Sequence, residues 1–142
     1  MRQTRTGGIR VLGAVLTSLA VAVVVSSCSV SESPSEIAAG DVARAFEAAA
    51  QSDPVSACLQ LAPGTRKELE DSADSCPAGI RAASLPTAGG VVDVQVYGLD
   101  AIVHLRGDTV FLADFGGRWR VTAAGCAAQE QDRPYSCDVK GG

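Results

Sequence analysis

Hydrophobic and polar positions change rhythm along the chain. Residues 1–10 carry Arg2, Arg5 and Arg10 and no acid, and Val11–Val25 then runs fifteen residues without a charge. From Glu36 the apolar positions take helical spacing. Ala38, Val42, Ala45, Phe46 and Ala49 share one face of a helix predicted over Glu36–Gln51 and capped by Ser35, with Glu36, Asp41, Arg44 and Glu47 off that stripe. Asp53-Pro54 opens a second helix, Asp as N-cap and Pro at the first helical position, running to Leu61 or Ala62 before Pro63-Gly64. Thr65 with Glu68 three residues on reads as a capping box for a mainly polar third helix over about Arg66–Asp74. A short helical turn is predicted at Pro77–Ala83, and Leu85-Pro86-Thr87-Ala88-Gly89-Gly90 breaks it.

From Val91 the period becomes two. Strands are predicted over Val91–Tyr97, Ala101–Arg106, Thr109–Phe115 and Arg118–Ala124, joined by Gly98-Leu99-Asp100, Gly107-Asp108 and Gly116-Gly117. The pattern assigns Val92, Val94, Val96, Val103, Leu105, Trp119 and Val121 to one face, and Asp93, Gln95, Tyr97, His104, Arg106, Arg118 and Arg120 to the other. The fold class is therefore α+β, with N-terminal helices packed on a C-terminal antiparallel four-stranded meander. The third strand is apolar on both faces, Phe111, Ala113 and Phe115 against Val110 and Leu112. Its second face needs cover, from the tail with Pro134 and Tyr135 or from a partner.

Composition bounds the classes. With 142 residues, 46% hydrophobic and 20% charged, the chain suits one globular domain. Aromatics are only 4%, so the core rests on aliphatic residues. The net charge of -4 argues against nucleic-acid binding, which needs clustered basic charge to replace phosphate counterions.

The opening fifteen-residue apolar run is short for a membrane span, which needs about 20 residues. A basic start, a short apolar run and small residues behind it make a secretory signal peptide. Val25-Ser26-Ser27-Cys28 resembles the bacterial lipobox, and the excess of Arg over Lys among abundant Ala, Gly and Val resembles actinobacterial-type lipoproteins. The resemblance implies cleavage between Ser27 and Cys28 and a diacylglyceryl group on Cys28. It further implies a second acylation there and anchorage on the extracytoplasmic face of the cell membrane. The plainer alternative is a secreted protein with Cys28 as bystander or disulfide partner. Removing residues 1–27 takes away three of the 12 basic residues and no acid, which leaves a net charge of −7. Residues 28–35 then form the lipid-anchored tether, whose Ser29–Ser35 stretch reaches roughly 20 to 25 Å when extended, and residues 36–142 form the domain.

Four cysteines remain: Cys58, Cys76, Cys126 and Cys137. They allow three pairings, of which Cys58–Cys76 and Cys126–Cys137 close the shortest loops. Metal and thioredoxin-like redox sites favour Cys-x-x-Cys pairs, which are missing here, and the single histidine is His104. No metal or cofactor is expected.

Helices followed by strands, with Phe115-Gly116-Gly117-Arg118-Trp119-Arg120-Val121 in the last predicted strand, resemble the nuclear transport factor 2-like, or cystatin-like, superfamily over roughly Ile37–Gly125. The resemblance implies a cone between helices and sheet that hosts hydrolases or isomerases in some members.

Few polar residues suggest chemistry. His104 and Arg106 on one strand, with Arg118 and Arg120 on another, form a possible surface or partner site. For catalysis His104 needs a positioned carboxylate such as Asp93 or Asp114. No Gly-x-Ser-x-Gly elbow or phosphate-binding loop is present in the sequence. The sequence thus points to a non-enzymatic binding or accessory module that meets a protein, wall component or small ligand outside the membrane. The alternatives are a small enzyme of the superfamily named above and an assembly factor of an exported complex.

Overall fold

Four helices precede five strands in the computed structural model, which describes residues 31–130 and 132–141. The proposed lipobox, with Ser27 and Cys28, lies outside the described residues.

Proline opens every helix: α1 (Pro34–Ser52), α2 (Pro54–Gln60), α3 (Pro63–Ser72) and, at Pro77, α4 (Cys76–Ala83). Its missing N–H costs nothing in a first turn. The cap of α1 is Ser33, two residues before the predicted Ser35. Its hydroxyl accepts from the Glu36 N–H, and the Glu36 carboxylate accepts from the Ser33 N–H. Asp53 caps α2 as predicted, accepting from the Ser56 N–H.

The α3 start departs from expectation. Pro63-Gly64 begins the helix rather than ending the previous one, and Thr65 is no cap. It lies inside α3, buried, and its hydroxyl donates to the Thr122 carbonyl at 2.9 Å. A tertiary acceptor thus outcompetes the local N–H.

The buried face of α1 also differs. Ala39, Gly40, Ala43, Phe46 and Glu47 point inward, while Ala38 and Ala45 are exposed. Alanine on several faces weakens the amphipathic contrast, so two stripes about 100° apart fit the sequence nearly equally. Gly40 selects the real one. A Cβ there would stand 3.3 Å from Val94 Cγ2, so α1 rides close on the sheet.

The strands β1 (Val91–Tyr97), β2 (Asp100–Leu105), β3 (Asp108–Asp114), β4 (Trp119–Ala127) and β5 (Ser136–Lys140) form one antiparallel sheet in sequence order. The α+β class stands, with five strands instead of four. The fifth is short and carries one fully buried apolar residue, Val139, too little for a period-two signal. Val94, Val103 and Val110 align across three strands, and Val96, Ala101, Leu112 and Val121 across four. With Phe46, Leu69, Ile80 and Leu85 they make the core between helices and sheet.

Val92 leaves the predicted inner face. A register shift between Val91 and Asp93 turns it outward to 65% exposure, and half-buried Val91 packs on the core instead. Arg118 precedes β4, in the turn, and Arg106 lies in the turn after β2.

Both disulfides pair as the loop lengths favour. Cys58–Cys76 ties α2 to the first residue of α4, and Cys126–Cys137 joins residues directly opposite on β4 and β5. The tail also covers the outer face of β3, where Phe111 meets Tyr135. Among the described residues no helix is long and apolar enough to cross a membrane.

Candidate functional site

The four residues singled out in the sequence do not converge. The β2–β3 and β3–β4 turns lie at opposite ends of β3, which separates Arg106 from Arg118. His104 and Arg106 therefore do not form one surface site with Arg118 and Arg120. Arg106 instead flanks the segment before β1, exchanging backbone hydrogen bonds with Gly89 and Gly90. Gly89 is required there, because a Cβ would fall 2.9 Å from the Arg106 Cβ.

His104 is half-buried on the sheet face away from the helices. Its Nδ1 lies 3.1 Å from the Thr109 hydroxyl. Asp93 is its cross-strand neighbour, but the Asp93 carboxylate accepts from Gln95 at 2.7 Å. Asp114 accepts from the Gly117 N–H at the far end of β3. No carboxylate is hydrogen-bonded to His104 among the described residues.

Arg118 and Arg120 do come together, with a third arginine from a helix. They line a cleft of about 380 Å³ with Arg66, Leu59, Pro63 and Phe115. The Arg120 guanidinium donates to the Leu59 carbonyl, fixing that wall. Arg66 pairs with Glu70 at 2.8 Å. Three guanidiniums and no carboxylate line this cleft. Leu59 and Phe115 are 60% and 46% exposed at its rim. Phe115 also borders a second cleft, with Lys140, Thr65 and Phe111. The turn glycines Gly116 and Gly117, both at positive φ, place Phe115 and Arg118 at the tip of this hairpin.

A second polar arrangement lies inside the core, where the hydrophobic pattern did not point. Glu47, placed off the apolar stripe by pattern, is 4% exposed, and neither carboxyl oxygen has a hydrogen-bond partner among the described residues. Asp108, read as a turn residue, is also buried. Its carboxylate accepts from the N–H groups of Thr109 at 2.6 Å and of Gly125 and Cys126 at 2.9 Å. Burial pushes the Glu47 pKa up to about 8, and the neighbouring Asp108 carboxyl adds to the rise. The two carboxyls do not close a hydrogen bond at ordinary length.

Among the described residues no group of three or more His, Cys, Asp or Glu side chains is placed to hold a metal ion. No family model, curated protein or solved structure matches this chain.

Proposed function

We propose that this chain is a lipid-anchored, extracytoplasmic binding module. Its basic cleft would take an acidic, apolar-bearing segment of another exported protein. The single observation carrying this reading is the cleft wall: Arg118 and Arg120, with Arg66 beside them paired to Glu70, next to exposed Leu59 and Phe115. Against the net charge of −7 left once residues 1–27 are removed, such a wall is a local basic patch that favours an acidic segment through charge complementarity, and the apolar rim supplies contact area. The lipobox-like Val25–Cys28 supports the anchor, and the two disulfides suit an oxidising compartment.

Fluorescence polarisation of a labelled peptide alternating Glu with Leu and Phe tests the reading on the mature protein in detergent. Binding should weaken with added salt and fall about tenfold or more in Arg118→Glu, which changes an exposed turn residue. Equal binding of the matching Lys peptide, or no effect of Arg118→Glu, would overturn it.

A further inference from the structure

The buried pair of Glu47 and Asp108 needs an explanation that the cleft does not supply. Asp108 spends its carboxylate on three backbone N–H groups and so pins the start of β3 to the bend of β4 at Gly125 and Cys126. Glu47 comes from the opposite layer, on α1, and brings a second carboxyl to the same interior. Two carboxyls in one dry site are stable together only while a proton neutralises one of them.

Among the described residues no cation offsets the pair. Arg44, one turn earlier on α1, is exposed and bound to Asp41 at 2.5 Å. Residues 54–60 of α2 and residues 85–90 carry no charge. Asp93 of β1 and His104 of β2 lie on exposed or outer positions. Arg106, in the β2–β3 turn, runs along Gly89 and Gly90. Arg120 of β4 bonds to Leu59. On β5, Lys140 and Asp138 are exposed, and Asp138 packs against Gly125. Gln51, one turn after Glu47, donates to the Leu85 and Pro86 carbonyls and so holds the 85–90 segment to α1. A cleft of about 420 Å³ between α1 and residues 87–90 runs alongside Glu47 and gives water a way in.

We propose that Glu47 and Asp108 form a proton-dependent clamp. A proton on Glu47, with Asp108 ionised and held by its three N–H groups, keeps α1 seated on the sheet, and its loss loosens α1 together with the 85–90 segment. The helix cannot carry the ionised Glu47 away from its site without shifting Phe46, which is fully buried beside it. Ionisation is therefore relieved by water entering along the cleft and by partial unseating of the helix.

Amide hydrogen exchange on the full mature protein, corrected for intrinsic rates, reads this directly. Between pH 6.5 and pH 9, exchange of residues 43–51 and 85–90 should speed up about tenfold or more, while β3 stays protected. Glu47→Gln keeps the shape without the ionisation, and its exchange should stay flat. A flat wild-type profile, or the same rise in Glu47→Gln, would overturn the clamp. Carboxyl carbon NMR on the wild-type protein gives an independent reading: a Glu47 titration midpoint near 8 supports the clamp, and one below about 6 sinks it.

Discussion

The Tyr135 and Phe111 rings meet in a T-shaped pair, centroids 5.1 Å apart and planes at 74°. Tyr135 belongs to the tail and Phe111 to the middle of β3, so this contact packs the tail against the outer face of β3. Such a pair contributes about 0.5–1.5 kcal/mol beyond its buried area. Tyr135→Ala should lower stability in urea unfolding by about 1–2 kcal/mol, with the loss largely absent in a Phe111→Leu background. Equal losses in both backgrounds would show that the rings act independently.

Stability should fall as pH rises between about 4.5 and 8. In that window the native state keeps a proton on Glu47 that the unfolded chain has released, so raising pH favours unfolding. The contribution is fully present below 4.5 and lost above 8, on the order of a few kcal/mol. Glu47→Gln should remove that slope and be the more stable protein at pH 9. Parallel stability profiles for the two proteins would show that Glu47 ionises normally.

Gly125 has φ of +65°, and a Cβ there would sit 2.8 Å from both Leu85 Cδ2 and an Asp138 carboxylate oxygen. Gly125→Ala combines left-handed backbone strain with overpacking and should cost about 2–4 kcal/mol. It should also loosen the N–H that Asp108 holds. A cost under about 0.5 kcal/mol in chemical denaturation would contradict this packing.

Cys28→Ala should abolish incorporation of labelled fatty acid and leave the precursor uncleaved or released to the medium. Peptide mapping without reductant should still recover the 58–76 and 126–137 links. Continued lipid labelling would refute the lipobox reading.

The legible parts of the fold were those with strong local contrast. Asp53-Pro54, the Val94 and Val96 alternation of β1 and the Gly-Gly turn each have a single physical solution, whereas the bulge that turns Val92 outward leaves no mark in the pattern. The α1 face was harder to read because alanine is apolar but small, so a one-position rotation changes the pattern little. Thr65 misled because its hydroxyl found Thr122, far along the chain. For the site, Arg118 and Arg120 were visible as alternating positions on one strand. Arg66 was not, because its approach depends on how α3 meets β4. Glu47 and Asp108 looked like surface acids by type, and only the packing of α1 on β3 buries them.

The bulge at Val92 has a consequence for life beside identical copies. β1 is an edge strand, and a flat edge with unpaired N–H and C=O groups is a template for another chain. The register shift between Val91 and Asp93 breaks that template's regular spacing, and Asp93 places a charge on it. At the opposite edge, β5 is five residues long, carries Asp138 and Lys140, and is bound to β4 through Cys137. Both borders of the sheet are thus poor starting points for aggregation.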